Sequence, residues 1–288
     1  MKRLMVAGAG GMTGSEVSER ARRAGWEVAA LTRAELDVTD PASVDSAADD
    51  FRPKVIVNCA AYTAVDRAES EPDVAAAIND DGARNVARTA AAAGIPLIHL
   101  STDYVFSGSA RTPYQPEAET DPICVYGRTK LAGENAVRHE APSHVIVRTS
   151  WVFSHRGSNF VRTMLRLGAE RDELRVVNDQ VGRPTSAGDL AEALLVVAAA
   201  MLENREINGT YHFANAGETS WFGFAQAIIE ESGARTRSPR VVPISTSEFP
   251  TAARRPAYSV LDTTSFTHRF GVTPRPWREA LRETIALL

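Results

Sequence analysis

Two side chains capable of acid–base chemistry, Tyr126 and Lys130, lie four residues apart in the sequence. This spacing places both on one face of a helix, one turn apart. A phenol with a pKa of about 10 is a poor acid at neutral pH, and a nearby ammonium favours its release of the proton. The pair therefore predicts a tyrosine general acid assisted by a lysine. The same spacing is also common on exposed helix faces, so the surrounding residues must decide between the two interpretations.

Three polar residues, Ser101, Thr102 and Asp103, follow the apolar segment 96–100. That segment predicts a strand, and the carboxyl end of a strand in a doubly wound sheet is where reactive groups meet a ligand. A hydroxyl there can polarise a substrate carbonyl, although one of the two hydroxyls can instead bond the local backbone. Asp103 either orients a loop, acts in a proton relay or caps local structure. His99, inside the apolar segment, is predicted to be a core residue.

A glycine-rich turn joins the first predicted strand to the first predicted helix. Glycines allow a tight turn and let backbone N–H groups approach a pyrophosphate at the helix N-terminus. The spacing is that of Gly8, Gly11 and Gly14, because Thr13 stands where the commoner dehydrogenase pattern has glycine. The alternative is a strand-to-helix turn without a ligand. We predict a dinucleotide site whose turn residues are Gly8, Gly10, Gly11, Met12, Thr13 and Gly14.

The end of the second predicted strand, at residues 31–33, bears on which nicotinamide cofactor is used. NAD sites normally place a carboxylate there to bind the ribose 2′-hydroxyl, and these residues contain none. Arg33 suits a 2′-phosphate, which predicts NADPH with NADH as the alternative, unless Arg33 is only a solvated surface charge. Asp37 and Val38 either lie along the adenine edge or begin a turn.

The elements that must position these residues follow the rhythm of parallel βαβ units. Strands are predicted at residues 4–7, 27–31, 55–58, 96–100 and 145–148. Helices are predicted at residues 11–24, 41–50, 74–93 and 126–139. Because such crossovers are right-handed, the predicted fold class is α/β, with a Rossmann-type doubly wound parallel sheet.

After Trp151 this rhythm loosens into predicted helices at residues 160–167, 189–202 and 222–231. The sequence thus predicts a dinucleotide-binding Rossmann domain over residues 1–150 and a smaller C-terminal substrate-binding lobe over residues 151–288. Some of the later chain is expected to return to the first domain.

Composition excludes several other classes of protein. The 288 residues are 44% hydrophobic and 24% charged, as in ordinary globular proteins. The net charge is −4 without a long run of one sign, which argues against non-specific nucleic-acid or membrane binding. Cys59 and Cys124 lack the spacing of a disulfide framework or a zinc site. The longest apolar run, 193–202, is ten residues where a membrane span needs about 20, so a cytoplasmic protein is expected.

The chain resembles the extended short-chain dehydrogenase/reductase family, and within it the dTDP-4-dehydrorhamnose reductases, over essentially its whole length. The glycine turn and the Tyr126-x-x-x-Lys130 pair contribute to this resemblance. Longer strings are more specific, namely Val55-Ile56-Val57-Asn58, Thr63-Ala64-Val65-Asp66, Ser101-Thr102-Asp103-Tyr104-Val105-Phe106, Thr129-Lys130-Leu131-Ala132-Gly133-Glu134, Arg148-Thr149-Ser150-Trp151-Val152, and Pro250-Thr251 with Arg254-Arg255-Pro256.

The resemblance implies that NADPH reduces dTDP-4-dehydro-L-rhamnose to dTDP-L-rhamnose. Thr102 would polarise the C4 carbonyl and Tyr126 would donate the proton. Lys130 would hold the nicotinamide ribose and lower the tyrosine pKa. Further cofactor contacts are implied for Ala60, Ala61 and Tyr62. Further contacts to the dTDP-sugar are implied for Ser101, Asp103, Trp151, Arg254 and Arg255. Trp151 is alternatively a core residue between the lobes.

The sequence departs from this family at several positions. Tyr62 stands where relatives often have histidine, which alters the expected contacts near the cofactor. Some relatives form a dimer bridged by Mg²⁺, and Glu16 matches one of its ligands. Gly188 and Ala286 stand where two other ligands would be, so no metal site is expected. We expect a monomer or a weak homodimer.

Two other functions remain open at the level of sequence. The first is a ketoreductase acting on another dTDP-4-keto-deoxyhexose, with the same cofactor half and a different second lobe. The second is a non-catalytic regulatory subunit of the same fold, which the intact set of Thr102, Tyr126 and Lys130 disfavours. Fold alone does not decide among these functions.

Overall fold

A computed structural model describes residues 2–288, and within them helices alternate with strands along the first half of the chain. The strands are β1 (Arg3–Ala7), β2 (Glu27–Leu31), β3 (Val55–Asn58), β4 (Leu97–Thr102), β5 (His144–Thr149), β6 (Val152–Phe153), β7 (Glu173–Val177), β8 (Val181–Gly182), β9 (Thr185–Ser186), β10 (Gly209–His212), β11 (Thr219–Ser220) and β12 (Arg240–Ile244). The helices are α1 (Met12–Arg23), α2 (Pro41–Phe51), α3 (Val65–Ala68), α4 (Pro72–Ala76), α5 (Gly82–Ala92), α6 (Val125–Glu140), α7 (Phe160–Glu170), α8 (Ala187–Glu203), α9 (Trp221–Glu231), α10 (Thr264–Phe270) and α11 (Trp277–Ala286).

Six of these strands form one parallel sheet in the order β10-β5-β4-β3-β1-β2. The predicted α/β class with a doubly wound parallel sheet is confirmed. From β1 the chain adds β2 on one side of the sheet and then β3, β4 and β5 on the other side. Such a change of direction leaves a crevice at the carboxyl ends of the strands. β4 extends to Thr102, two residues beyond the predicted strand, so Ser101 and Thr102 lie within the sheet.

Both faces of this sheet are buried, which explains why its strands read as nearly continuous apolar runs. On one face, Leu4 and Val57 pack with Leu190 of α8. On the other face, Met5 and Ile56 pack against α2, α5 and α6. Burying one such side chain contributes roughly 1.5–3 kcal/mol, so the two layers hold the strand ends firmly in place.

The second half of the chain contributes to the central sheet and its packing, and it also forms a core of its own. Helix α8 packs on α1, and strand β10 adds to the edge of the sheet beside β5. Helices α7, α9 and α11 instead form a separate core around Phe153, Phe224 and Trp277. None of the helices in residues 2–288 has the length and apolar character needed to cross a membrane.

The predicted single helix over residues 74–93 is interrupted in the structure. A π-helical turn at Ala77–Asp81 separates α4 from α5. Asn79 in this turn accepts a hydrogen bond from the Tyr62 backbone N–H at 2.8 Å and donates one to Thr129 Oγ1 at 3.0 Å. Such turns often occur at functional sites, and this one links the loop after β3 to helix α6. The alanine-rich sequence gave no sign of it.

Candidate active site

The carboxyl ends of the central strands open into a cleft of about 770 Å³. Every residue for which a cofactor contact was predicted lines this cleft. They are Gly8, Gly10, Gly11, Met12, Thr13, Gly14, Arg33, Asp37, Val38, Ala60, Ala61, Tyr62, Tyr126 and Lys130.

The glycine turn forms the floor of one end of the cleft. Gly8 has a φ of +76°, and a Cβ there would lie 2.6 Å from Ala60 N. A Cβ on Gly14 would lie 2.3 Å from Gly8 O, so the turn and helix α1 touch backbone to backbone. No side chain within residues 2–288 caps the N-terminus of α1, which begins after Gly11. Its first N–H groups are therefore available to bind an anion.

The residues after β2 form the rim at the same end. Arg33 is exposed on this rim. Asp37 Oδ1 accepts hydrogen bonds from Thr39 N at 3.0 Å and Thr39 Oγ1 at 2.7 Å, and these bonds lower the pKa of Asp37. Asp37 thus shapes a local turn as well as lining the cleft.

Thr102 and Asp103 lie at the end of β4, in the middle of the cleft wall. Thr102 Oγ1 donates to Asp103 Oδ1 at 3.1 Å and accepts from Tyr104 N at 3.2 Å. Asp103 is 2% exposed, and its Oδ2 has no hydrogen-bond partner among residues 2–288. Burial raises the pKa of Asp103 to about 6, and the nearby hydroxyls of Ser259 and Thr102 oppose this rise. A buried carboxylate oxygen without a partner suits a hydrogen-bond donor from a ligand.

Ser101 also lines the cleft, but its hydroxyl is already engaged. Ser101 Oγ donates to Glu134 Oε1 at 2.6 Å. The Thr102 hydroxyl makes a longer bond, 3.1 Å to Asp103 Oδ1, so of the two hydroxyls that end β4 it is the one that more readily exchanges its partner for a substrate carbonyl.

Helix α6 brings Tyr126 to the cleft because its first turn is held on several sides. Glu69 Oε1 accepts a hydrogen bond from Val125 N at 2.7 Å. A Cβ on Gly127 would lie 2.2 Å from Tyr104 O, so only glycine allows the helix to start this close to the segment after β4. The Tyr104 and Tyr126 rings meet edge to face, with centroids 5.5 Å apart.

Lys130 is buried one helical turn after Tyr126. Its Nζ donates to Leu100 O at 2.7 Å and lies 3.5 Å from His99 Nε2. Burial lowers the pKa of Lys130 to about 8, and the charge of Glu134 opposes this change.

The pKa of the Tyr126 phenol shifts in the opposite direction from the one expected. Burial raises its pKa, and the neighbouring Thr102 hydroxyl opposes the rise. The expected lowering of the Tyr126 pKa by Lys130 is outweighed here, because Lys130 Nζ is held on Leu100 O and desolvation dominates at the phenol.

The opposite wall of the cleft is aromatic. Trp151 stacks on Trp221 with ring centroids 3.6 Å apart and planes 8° apart, and both rings line the cleft. Trp151 has a φ of +47°, a left-handed conformation that is uncommon outside glycine. A Cβ on Gly182 would lie 2.5 Å from the Trp151 ring, so this glycine makes room for the stack.

Trp221 is a cleft residue that sequence reasoning missed. The available signal was a Trp-Phe pair at the start of the predicted helix 222–231. The other cleft residues that were missed are Leu36, Cys59, Thr63, Ala64, Val65, Ile78, Leu100, Tyr104, Thr149, Ser150, Val152, Ser158 and Asn159.

Two predicted substrate contacts, Arg254 and Arg255, are not brought to the cleft. Arg255 forms a two-pronged ion pair with Asp66, with nitrogen–oxygen distances of 2.7 and 3.1 Å. Arg254 is exposed. Asp66 satisfies the Arg255 guanidinium that was expected to face a diphosphate, which explains the difference for Arg255.

Comparison with known proteins agrees with this geometry. The family model described as the RmlD substrate binding domain matches residues 1–288. A dTDP-4-dehydrorhamnose reductase of Streptomyces griseus is 45% identical over 288 residues, covering 99% of this chain and 94% of that protein. The spore coat polysaccharide biosynthesis protein SpsK of Bacillus subtilis is 42% identical over 283 residues, covering 98% of this chain and 96% of that protein.

A solved structure is similar over the full length. The crystal structure of dTDP-4-dehydrorhamnose reductase from Bacillus anthracis, in complex with NADP, has a TM-score of 0.92 to this chain at 39% identity, and the match covers 100% of both chains. The resemblance inferred from the motifs is thereby confirmed. Since the family model and these relatives match essentially the whole chain, the protein belongs to the RmlD substrate binding domain family.

Proposed function

We propose that this protein reduces dTDP-4-dehydro-L-rhamnose to dTDP-L-rhamnose, with NADPH as the hydride donor. The observation that carries the proposal is the convergence of the glycine turn, Thr102, Tyr126 and Lys130 on one cleft. The names of the similar reductases support the substrate, and the NADP complex of the Bacillus anthracis protein supports the cofactor.

The residues present fit a dinucleotide phosphate. Gly8 and Gly14 leave a cradle that a Cβ would fill, and the N-terminus of α1 offers N–H groups to the pyrophosphate. Arg33 on the rim suits the 2′-phosphate. When bound, NADPH supplies the hydride that reduces the carbonyl carbon at C4.

The acid–base work falls to three side chains. Thr102 orients the substrate by turning its hydroxyl from Asp103 Oδ1 to the carbonyl oxygen at C4 and donating to it. Tyr126 donates its proton to that oxygen as negative charge develops there. Burial favours the neutral phenol, so Tyr126 still holds its proton when the substrate binds. An alkoxide is a stronger base than a phenolate, which makes the transfer downhill.

Lys130 stabilises the phenolate that this transfer leaves behind. A pKa of about 8 keeps Lys130 mostly protonated at neutral pH. An ammonium has three donors, and Leu100 O takes one of them. The remaining donors suit the ribose of the cofactor and the charge on Tyr126.

The sugar is assigned to the wall formed by Asp103, Trp151 and Trp221. Asp103 Oδ2 suits a sugar hydroxyl, since it is buried without a partner among the residues described. The stacked tryptophans supply an apolar surface for the deoxysugar ring. Contacts of Arg254 and Arg255 to the diphosphate stay predictions.

The function is tested by a coupled assay. The upstream dehydratase and epimerase generate dTDP-4-dehydro-L-rhamnose, and NADPH oxidation is followed after addition of the purified protein. We expect turnover and a product that co-elutes with authentic dTDP-L-rhamnose. Turnover no faster than with boiled protein would contradict the proposal. A product with the other configuration at C4 would indicate a ketoreductase of a different pathway.

The role of Tyr126 is tested by Tyr126→Phe. We expect kcat to fall by about 100-fold or more, because the variant lacks the proton donor. Tyr211→Phe is the matched control, since Tyr211 lies on the edge strand β10 and, among residues 2–288, its hydroxyl bonds only Asn208 O. Comparable kcat values for the two variants would exclude Tyr126 as the acid.

A further inference from the structure

A buried ion pair lies behind the proposed catalytic residues. Glu134 is fully buried and Arg148 is 2% exposed. Arg148 Nε donates to Glu134 Oε1 at 2.8 Å, and Arg148 Nη2 donates to Glu134 Oε2 at 2.7 Å. Replacing a buried pair by apolar residues is often neutral or stabilising, so stability alone does not account for it.

The Glu134 carboxylate joins three elements at the reactive end of the sheet. On α6 it also accepts from Arg138 Nη2 at 2.7 Å. From β4, Ser101 Oγ donates to it at 2.6 Å, one residue before Thr102. From β5, Arg148 holds both of its oxygens. A shift of this carboxylate would therefore move the end of β4 relative to α6.

The same carboxylate lies one helical turn after Lys130, on the same helix face. The other groups that act on Lys130 are His99 on β4 and Cys59 just after β3. Burial keeps both neutral near pH 7, because it lowers the pKa of His99 and raises the pKa of Cys59 to about 12. Burial also opposes ionisation of Glu134, but Arg148 holds its pKa below the usual value. Glu134 is thus the anion that favours the charged form of Lys130.

We propose that Glu134 is a positioning residue for the catalytic pair: its carboxylate supplies negative charge one helical turn from Lys130 and ties the Ser101–Thr102 end of β4 to helix α6. Arg148 keeps this carboxylate ionised and fixed. The inference rests on the proposed function for the roles of Tyr126 and Lys130, and it adds a residue that does not touch the substrate.

The chain allows a direct test, because it contains only three lysines, Lys2, Lys54 and Lys130. Lys2 and Lys54 are exposed and serve as internal references. The full-length protein is labelled with ¹³Cε-lysine, and the three signals are followed by NMR. The titration runs from about pH 6 to about pH 11, which spans the usual lysine pKa.

In the wild-type protein we expect Lys130 to titrate near pH 8, well below the two references. In Glu134→Gln its titration is expected to move down by about one unit or more, because the opposing charge is gone. Arg138→Gln is the matched control. It removes a cation from the same carboxylate and leaves the pair with Arg148, so it is not expected to lower the Lys130 titration.

Activity gives a second readout. The decline of kcat/KM at high pH is expected to move down in Glu134→Gln by the same amount as the NMR titration. A merely structural defect would lower kcat/KM at all pH values without moving that limb. If the wild-type protein shows no turnover, the proposed function fails, while the NMR titration still decides the role of Glu134.

An unchanged Lys130 titration in a folded Glu134→Gln protein would overturn the proposal. If that variant does not fold, the double variant Glu134→Gln with Arg148→Met removes both buried charges together. Glu134 acts on Lys130 through its charge whereas Arg148 does not, so the double variant is still expected to titrate below wild type. A titration at or above the wild-type value there would equally refute the inference.

Discussion

The two walls of the cleft differ in whether main-chain atoms or side chains form their surface. On the cofactor side the surface is largely backbone, with Gly8 and Gly14 so close to other main-chain atoms that no side chain fits. On the opposite side the surface is made of large side chains, with Trp151 in a left-handed conformation stacked on Trp221. The first wall is fixed by local chain geometry, and the second by contact between segments about seventy residues apart.

This difference has a consequence for tolerance to substitution. A backbone wall has no rotamers to adjust, so an added methyl group must displace main chain. A wall of aromatic side chains can repack, and aromatic pairs contribute only about 0.5–1.5 kcal/mol beyond the area they bury. Substitutions should therefore be more harmful on the cofactor side.

The largest effect is expected for Gly14→Ala. The new Cβ would lie 2.3 Å from Gly8 O, and relieving that contact costs about 1–3 kcal/mol. We expect a lower thermal midpoint and NADPH binding weakened by up to about 100-fold, measured by fluorescence titration. Gly10→Ala is the stability control, because its Cβ would meet nothing nearer than Thr32 Cγ2 at 3.7 Å. Equal midpoints for the two variants would contradict the backbone argument.

The next effect is expected for Arg33→Ala. Loss of a hydrogen-bonded charge at the exposed rim should lower kcat/KM for NADPH by about 10-fold and leave that for NADH nearly unchanged. Arg22→Ala, an exposed arginine of α1 that does not line the cleft, is the control. Equal losses of kcat/KM with NADPH and with NADH would show that Arg33 does not bind the 2′-phosphate.

A smaller effect is expected for Trp221→Leu. Without its stacking partner Trp151 is less well held, so the KM for the sugar nucleotide should rise by about 3- to 10-fold. The KM for NADPH should stay within twofold of wild type. Trp221→Phe should recover most of the loss. A parallel rise in both KM values would mean that Trp221 supports the whole cleft rather than the sugar wall.

The smallest effect is expected for the Asp66–Arg255 pair. The side chains are 46% and 22% exposed, so a double-mutant cycle with Asp66→Asn and Arg255→Gln should give a coupling free energy below about 1 kcal/mol. Arg255 lowers the pKa of Asp66, so this stabilisation is present at neutral pH and is lost as pH falls through the carboxyl range. A rise in sugar-nucleotide KM with Arg255→Gln alone would assign its guanidinium to the substrate.

Much of the cofactor half was predictable because its signals are local. Glycine spacing, apolar strand segments and the Tyr126–Lys130 interval each act within one turn or one element. The strand ends were less well defined, since β4 continues through Ser101 and Thr102. The π-helical turn at Ala77–Asp81 was missed because its polar contacts reach Tyr62 and Thr129 from elsewhere in the chain.

The sequence by itself determined the parallel sheet, the glycine turn and the presence of a tyrosine–lysine pair on one helix face. Only the tertiary structure decided what those side chains can do. In the folded protein Ser101 donates a hydrogen bond to Glu134, Lys130 donates one to Leu100 O, and Arg255 forms an ion pair with Asp66. The tertiary structure also raised the pKa of Tyr126 by burial. Periodicity and turn chemistry are properties of neighbouring residues, whereas desolvation and partner choice depend on which distant segments the fold brings together.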